Sequence, residues 1–384
     1  MRRPVGYEAL MRAVDDACLA VPPRELFEQV DAAQWGALDQ LSHRMHLWNA
    51  KAQFDNDRWL FLNMTPEVFL NARHASAGHS FADLLVETGF PAQALVVEVL
   101  EETVRDTAEF ESAVAFFREL GCLIALDDFG AGSSNFDRVW KIRPQIVKLD
   151  RSLIKQAAMN SRVRRILPQL VSLLHEAGSM VLVEGVETAE EAYIALDTNA
   201  DFVQGFLFGC PQAALADTSP ARAALEAVWE EFDGRLGKEW SQQKRVLAPY
   251  MNAIGNASVL LSAGRSMRES CASFFELEGA SICYLLDDRG HQIGLNQLGH
   301  EAFPQADSRL EPLTDTRNAR WSRAPYFRRA TENFGKVQVT RPYLSVTSAS
   351  MCVTVSVSFR FQGAVRVICG DFRWPPVADQ LSIR

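Results

Sequence analysis

The sequence predicts an α/β domain built on a parallel sheet, followed by a helical linker and a smaller α+β domain. Between Val5 and Phe206, short apolar runs alternate with amphipathic stretches, as strands and helices alternate along one sheet. This alternation stops near Ser219, and hairpin patterns begin after residue 276. A chain of 384 residues is also too long for one ordinary core.

Seven short runs are predicted as strands. Their interiors are apolar at consecutive positions, which is typical of strands buried on both faces in a parallel sheet. The predicted strands are Val5–Glu8, Trp59–Asn63, Ala94–Val99, Leu123–Asp128, Gln145–Asp150, Met180–Glu184 and Asp201–Phe206. Apolar residues at spacings of three and four predict helices over Phe110–Leu120 and Ser152–Ala177 between them. This pattern fits either a closed barrel or a doubly wound sheet.

Polar residues close nearly every predicted strand. They are Glu8, Asn63, Glu98, Asp127, Asp128, Asp150, Glu184 and Gln204. In a barrel of parallel strands these ends converge on one face, where active sites are built. So many carboxylates, with Lys148 as a single cation, would repel one another unless metal ions lay between them, and oxygen ligands favour Mg²⁺, Mn²⁺ or Ca²⁺. The adjacent Asp127 and Asp128 suit two neighbouring ions, an arrangement typical of phosphoester hydrolysis.

Composition narrows the class of protein. The formal net charge of −9 argues against binding to DNA or to an anionic membrane surface. The seven cysteines are scattered without a CxxC pair, so neither a zinc site nor a disulfide framework is predicted. No signal peptide and no apolar run long enough to cross a bilayer occurs. We therefore predict a cytoplasmic protein.

The strand-end residues belong to segments that resemble the motifs of EAL-domain cyclic di-GMP phosphodiesterases. The segments, in the family's order, are Tyr-Glu-Ala-Leu-Met-Arg (7–12), Leu-Asn-Met-Thr-Pro (62–66), Glu-Val-Leu-Glu (98–101), Asp-Asp-Phe-Gly-Ala-Gly-Ser-Ser (127–134), Val-Lys-Leu-Asp (147–150), Val-Glu-Gly-Val-Glu (183–187) and Gln-Gly-Phe (204–206). Any one of these motifs alone is weak, but seven in order are highly specific. The resemblance implies a TIM-like barrel that hydrolyses cyclic di-GMP to its linear dinucleotide with one or two Mg²⁺ or Mn²⁺ ions.

The resemblance also implies a role for each residue. Metal ligands would be Glu8, Asn63, Glu98, Asp127 and Asp128, with Asp127 bridging two ions. Lys148 would polarise the attacking water and Glu184 would be the base. Arg12 and Gln204 would contact the substrate. Glu101 would anchor the Asp-Asp-Phe-Gly loop, and Asp150 would support the metal ligands or contact a metal itself.

Two features depart from the family pattern. The family's usual first strand, which contains Gln-Pro-Ile, is missing before Glu8. We expect the barrel to be open, to be closed by another segment or a partner, or the sequence to start late. Ala131 replaces a threonine, which removes a hydroxyl but no metal ligand.

The remaining sequence predicts a helical linker (219–275) and a sensor domain (276–384) after the barrel (1–218). Strands are predicted at Ser281–Leu286, His291–Leu295, Val337–Thr340, Leu344–Thr347, Met351–Phe361 and Ala364–Cys369. Partial alternation along Met351–Phe359 predicts one solvated face. The arrangement resembles the PDC/CACHE group of PAS-like sensors, which implies a pocket for a small zwitterionic or carboxylate ligand formed by Trp321, Arg323, Tyr326, Tyr343 and Asp371. The alternative is that these aromatic residues only fill a core.

Two functional hypotheses follow. The first is a cyclic di-GMP phosphodiesterase, expected as a homodimer, that the C-terminal domain regulates. The second is a catalytically weak or inactive cyclic di-GMP receptor that signals to a partner. The full set of metal ligands, lysine and base favours the first, and the missing strand keeps the second open. An unrelated TIM-barrel metalloenzyme would require the ordered motifs to be coincidental.

Overall fold

The computed structural model divides into two compact units, residues 1–233 and 234–384. It describes residues 3–17, 19–31, 34–54, 58–73, 80–100, 108–132, 136–215, 219–299, 312–313 and 315–374.

The first unit is built on a seven-stranded parallel sheet whose strands follow in chain order. The strands are β1 (Gly6–Ala9), β4 (Trp59–Asn63), β5 (Leu95–Leu100), β6 (Leu123–Phe129), β7 (Ile146–Leu149), β8 (Met180–Val183) and β9 (Phe202–Val203). A separate antiparallel pair, β2 (Ala13–Val14) and β3 (Ala20–Val21), follows β1. All seven predicted strands are present, with ends that differ by at most three residues.

Nine helices are described before residue 200. They are α1 (Pro23–Gln29), α2 (Trp35–Gln53), α3 (Pro66–Asn71), α4 (Phe81–Thr88), α5 (Ala108–Leu120), α6 (Phe136–Ile142), α7 (Arg151–Met159), α8 (Ser161–Glu176) and α9 (Ala189–Asp197). The prediction of a single helix over Ser152–Ala177 is wrong, because the helix is interrupted at Asn160. The Asn160 side chain accepts a hydrogen bond from the Arg162 N–H and so begins a new helix.

A small apolar cluster fills the interior of the curled sheet. It contains one residue from each of five neighbouring strands: Phe61, Val96, Ala125, Ile146 and Leu182. Because side chains alternate along a strand, the residue two positions further on lies on the same face. Those residues are Asn63, Glu98, Asp127, Lys148 and Glu184. The apolar cluster therefore forms the floor beneath the predicted site.

The two ends of the sheet approach each other through side chains. The Trp59 ring on β4 lies 5.8 Å from the Phe202 ring on β9, centroid to centroid. Among the described residues no backbone pairing joins β1 to β9. Gly6 makes room at this closure, since a Cβ there would lie 2.6 Å from the Trp59 carbonyl oxygen and 2.9 Å from the Phe61 ring.

The second unit is an α+β domain. Helix α10 (Ser219–Ser262) contains the boundary between the two units, and α11 (Met267–Ser270), α12 (Ala272–Phe275) and α13 (Pro325–Glu332) follow. The strands are β10 (Ala280–Leu286), β11 (Gln292–Leu298), β12 (Gln338–Val339), β13 (Tyr343–Leu344), β14 (Met351–Phe361) and β15 (Ala364–Arg373). They form one antiparallel sheet in the order β11-β10-β15-β14-β12, with β13 also paired to β14.

The solvated face predicted for β14 is wrong. Thr354, Ser356 and Ser358 are each at most 1% exposed. Helix α13 covers this face, and the hydroxyls of Ser356 and Ser358 donate to the carbonyl oxygens of Tyr326 (2.8 Å) and Ala330 (2.7 Å). Hydroxyl groups can therefore alternate with apolar residues on a buried strand when a helix supplies acceptors.

In the described part of the chain, every helix is too short or too polar to cross a membrane.

Candidate metal-dependent active site

Glu8, near the end of β1, accepts hydrogen bonds from residues at the ends of β4 and β9, the two strands whose side chains approach each other. The Asn63 amide donates to its Oε1 at 2.8 Å, and the Gln204 amide donates to its Oε2 at 2.5 Å. Asn63 is the last residue of β4, and Gln204 comes directly after β9. One carboxylate thus joins the ends of three strands, and the Asn63 Oδ1 remains as a candidate metal ligand.

Lys148 lies at the centre of the acidic site and is 1% exposed. Its Nζ is 2.5 Å from Glu98 Oε1, 2.6 Å from Glu184 Oε1, 3.1 Å from Asp127 Oδ1 and 4.0 Å from Glu8 Oε2. Burial alone would lower the pKa of this ammonium, but the surrounding carboxylates raise it well above its ordinary value. Lys148 therefore stays charged and is shared among carboxylates at the ends of four other strands.

Glu98 is the most deeply buried acid of the site, at 1% exposure. Burial raises its pKa well above the usual range; Lys148 opposes this shift, whereas Glu8 and Asp127 add to it. Its Oε2 is buried and has no hydrogen-bond partner within the described residues. A buried carboxylate oxygen without a donor, beside further carboxylates, fits the coordination of a hard divalent cation.

Asp127 and Asp128 lie at an irregularity in the pairing of β6 with β7. Leu126 pairs with Val147 and Phe129 with Leu149, so two aspartates stand opposite Lys148 alone. Asp128 takes a left-handed backbone conformation, with φ 56°. A bulge redirects consecutive side chains that a regular strand would send to opposite faces.

This bulge completes a group that could hold a metal ion. One carboxylate oxygen from each of Asp127, Asp128 and Glu184 lies within 4.8 Å of the others. Burial raises the pKa of Glu184 to about 7; Lys148 lowers it and Asp127 raises it. Five carboxylates (Glu8, Glu98, Asp127, Asp128 and Glu184) thus face one ammonium. The surplus negative charge suits divalent cations and would repel a phosphodiester in their absence.

The remaining predicted residues are placed less centrally. Arg12 is exposed and donates to the Met11 carbonyl oxygen at 2.7 Å. The Asp150 side chain accepts the Ser152 N–H and caps α7, which places it behind the strand end. Glu101 lies outside the described residues. The roles inferred for all three stay predictions.

Sequence reasoning missed two polar residues behind the site. Asp39 and His43 are 5% and 1% exposed, on the face of α2 that also buries Leu47 and Ala50. Their spacing of four residues, in register with those apolar positions, was the available signal. It was not informative alone, because the partners of these side chains come from the distant β4–α3 segment.

In the second unit, four of the five residues predicted for a ligand pocket line one cavity. They are Trp321, Tyr326, Tyr343 and Asp371; Arg323 is not among the lining residues. The volume open to the centre of a water molecule is about 30 Å³. Asp371 is 1% exposed and accepts a hydrogen bond from Thr354 at 2.8 Å, and Thr354 in turn bonds to the Tyr343 hydroxyl at 2.7 Å.

A curled parallel sheet with acidic ligands at its carboxyl ends defines the first unit as an α/β barrel-like domain with a candidate metal site. The family model of the EAL domain matches residues 1–211. This chain therefore belongs to the EAL-domain family.

Several named proteins are similar to it. The cyclic di-GMP phosphodiesterase RocR of Pseudomonas aeruginosa is 28% identical over 216 residues, which cover 54% of this chain and 53% of RocR. The cyclic di-GMP phosphodiesterase PdeF of Escherichia coli is 30% identical over 158 residues, or 41% of this chain and 21% of PdeF. These matches span about half or less of each relative's length.

One solved structure is similar over both units. The Bacillus subtilis YkuI protein, an EAL-domain protein crystallised with cyclic di-GMP and calcium, superposes with a TM-score of 0.79. The superposition covers 96% of this chain and 92% of YkuI, at 19% sequence identity. At that identity the likeness shows a shared fold.

Proposed function

We propose that this chain hydrolyses cyclic di-GMP to the linear dinucleotide pGpG with the help of Mg²⁺ or Mn²⁺. The observation that carries the proposal is the convergence of Glu8, Asn63, Glu98, Asp127, Asp128 and Glu184 around Lys148 at the strand ends. Its support from relatives is that RocR and PdeF are named cyclic di-GMP phosphodiesterases.

Each residue of the site has a distinct role in the proposed reaction. Glu8, Asn63, Glu98, Asp127 and Asp128 would hold the ions. Bound divalent ions would supply charge neutralisation at the phosphate and a water of lowered pKa. The Lys148 ammonium, fixed by three carboxylates, would orient that water by donating hydrogen bonds or by holding its acceptors in place. Glu184, whose carboxylate lies beside those of Asp127 and Asp128, would take the proton.

The test is incubation of the full chain with cyclic di-GMP and Mn²⁺ or Mg²⁺, followed by separation of the linear product. We expect product with either ion, and none in excess chelator. Asp127→Asn should abolish turnover, whereas Asp137→Asn, which changes a half-exposed acid paired with Lys141, should not. Binding of cyclic di-GMP without product would instead favour the receptor hypothesis, and full turnover in chelator would exclude the metal mechanism.

For the second unit we propose a PAS-like sensor role. The chemistry of the cavity lining, with Trp321, Tyr326, Tyr343 and Asp371, supports it. At about 30 Å³ the cavity has room for one or two waters, so a ligand would have to widen it. Since Arg323 does not line the cavity, the ammonium group of a zwitterionic ligand is the part that this lining would hold best, against Asp371 and the aromatic rings. Thermal-shift screening of small zwitterions and carboxylates, with Asp371→Asn as the control, tests the pocket. Light scattering tests the expected homodimer.

A further inference from the structure

Helix α2 carries polar side chains on the face that it buries. Asp39 and His43 lie one turn apart and are almost fully inaccessible, while Leu41, Met45 and Trp48 on the same helix are about half exposed. Burying a carboxylate and an imidazole costs free energy unless their hydrogen bonds are made. Both Asp39 oxygens and the His43 Nε2 have specific partners, and the His43 Nδ1 is buried with none among the described residues.

The partners of Asp39 lie just after β4. Asp39 Oδ2 accepts the Thr65 backbone N–H at 2.9 Å and the Thr65 hydroxyl at 2.8 Å. Thr65 is the N-cap residue of α3, a position at which a threonine hydroxyl usually accepts a bond from its own helix. Here it makes no such bond and donates to Asp39 instead. The start of α3 is thus anchored to α2.

His43 contacts the last residue of β4. Its Nε2 lies 2.8 Å from the Asn63 carbonyl oxygen and 3.2 Å from Asp39 Oδ1. Both atoms are acceptors, so Nε2 carries a proton and donates. Burial raises the pKa of Asp39, but hydrogen bonds from His43 and Thr65 outweigh this and lower it below its ordinary value. The Asp39 carboxylate therefore accepts from the His43 imidazole, and the same imidazole donates to the backbone carbonyl of Asn63.

We propose that Asp39 and His43 are positioning residues that fix Asn63, and through it Glu8, for metal binding. The inference rests on the proposed metal-dependent function. The Asn63 amide donates to Glu8 at 2.8 Å, and the Met64 N–H, next in the chain, donates to the Glu98 carbonyl oxygen at 3.4 Å. A shift of the β4 end would therefore disturb three candidate ligands at once. Replacing a residue that orients a metal ligand typically weakens metal binding by about 10–100-fold.

The experiment measures Mn²⁺ binding to the full chain by calorimetry, without nucleotide. His43→Leu removes the donor to Asn63 and should raise the Kd for Mn²⁺ about tenfold. His43→Gln keeps an N–H near the position of Nε2 and should bind close to the unchanged protein. Asp39→Asn preserves the volume of the side chain but loses the charge that orients His43, and it should also weaken binding.

Ser179→Ala is the matched control. Ser179 is 4% exposed and its hydroxyl donates to the Pro144 carbonyl oxygen at 2.7 Å, beside the amino ends of β7 and β8. This variant loses a comparable buried bond far along the strands from the acidic site. It should lower the midpoint of thermal unfolding while leaving the Kd for Mn²⁺ unchanged.

The possible outcomes separate the two proposals. An unchanged Kd in His43→Leu, or in Asp39→Asn if His43→Leu does not fold, overturns the positioning role. Equal loss of Mn²⁺ affinity in His43→Gln and His43→Leu also overturns it. A chain that binds Mn²⁺ with these sensitivities but does not cleave cyclic di-GMP overturns the proposed function alone. A chain that binds no Mn²⁺ overturns both.

Discussion

At the scale of single residues, the site is an excess of carboxylates around one buried ammonium, and two of these carboxylates, Glu98 and Asp127, are themselves buried. Glu98 and Lys148 are each 1% exposed and lie 2.5 Å apart. Such a pair stabilises a fold little by itself, because desolvation of both charges offsets their attraction. The arrangement is therefore better explained by what it binds than by the stability that it provides.

Lys148→Ala gives the sharpest single-residue prediction. Turnover of cyclic di-GMP should fall by at least ~10²-fold, the usual scale for a group that assists proton transfer, while the nucleotide still binds. In chelator the variant should also unfold at lower temperature, because Glu98, Asp127 and Glu184 lose their shared cation. Steady-state kinetics and calorimetric binding of the nucleotide check this.

The control for this change is another lysine. Lys155→Ala removes a half-exposed ammonium that lies 3.3 Å from Glu187, and surface pairs of this kind contribute about 0–1 kcal/mol. It should leave both turnover and the unfolding temperature nearly unchanged. Normal turnover by Lys148→Ala would exclude its assigned role in orienting the water.

At the scale of elements, the period of two along a strand made much of the site predictable. Each apolar floor residue is followed two positions later by a polar strand-end residue, as in Val96 and Glu98. What could not be predicted depends on partners distant in the sequence. The buried face of α2 needs the β4–α3 turn, and the buried hydroxyls of β14 need α13. Neither partner is visible in the local pattern.

The loop after β9 gives a prediction at this scale. Val186 exchanges backbone hydrogen bonds with this loop: its N–H donates to the Gln204 carbonyl oxygen at 3.0 Å, and its carbonyl oxygen accepts from Leu207 N–H at 3.1 Å. A Cβ on Gly205 would lie 2.0 Å from the Val186 carbonyl oxygen. Gly205→Ala should therefore cost roughly 1–3 kcal/mol of stability. It should also reduce turnover, because the added methyl would push apart the segment containing Gln204 and the segment containing Val186, which follows Glu184 by two residues.

Gly209→Ala is the comparison for this variant. A Cβ at Gly209 would meet nothing within 4 Å, so that change should leave unfolding and turnover close to those of the unchanged chain. Thermal unfolding and activity measured on both variants decide the matter. A Gly205→Ala protein that is as stable and active as Gly209→Ala would show that the loop can move away at little cost.

At the scale of the whole molecule, the second unit should lose stability as the pH rises. Burial raises the pKa of Asp371 to about 7, although hydrogen bonds from Thr354 and Tyr284 lower it in part. Its ordinary value is 3.8, so between these values the folded unit binds a proton that the unfolded chain releases. The stability of residues 234–384 should therefore fall as pH rises from about 4 to 7, by about 1.4 kcal/mol per pH unit.

Hydrogen exchange of β14 and β15 measured across that pH range checks this prediction. Asp371→Asn keeps an acceptor for Thr354 but cannot ionise, so it should remove the pH dependence. A slope that survives in Asp371→Asn would assign the effect to another group.

The boundary of the first unit gives a second prediction at this scale. The barrel domain is predicted from the sequence to end at residue 218, and the compact first unit includes the residues up to Asp233. Val228 and Phe232, on the first part of α10, are 5% and 7% exposed, and the Phe232 ring lies 5.4 Å from that of the buried Tyr193. Burying two such side chains contributes roughly 1.5–3 kcal/mol each.

A fragment of residues 1–233 should therefore fold and bind Mn²⁺, whereas residues 1–218 should be less stable by several kcal/mol because Tyr193 loses its cover. In the full chain, Phe232→Ala should lower the free energy of unfolding by about 3 kcal/mol. It should not change the Kd for Mn²⁺, because Phe232 packs against Tyr193 and not against the strand-end ligands. Denaturant unfolding and Mn²⁺ calorimetry on both fragments and on Phe232→Ala make the comparison. Equal stability of the two fragments would support the predicted boundary at residue 218, and would make the first part of α10 a connector with no part in the barrel core.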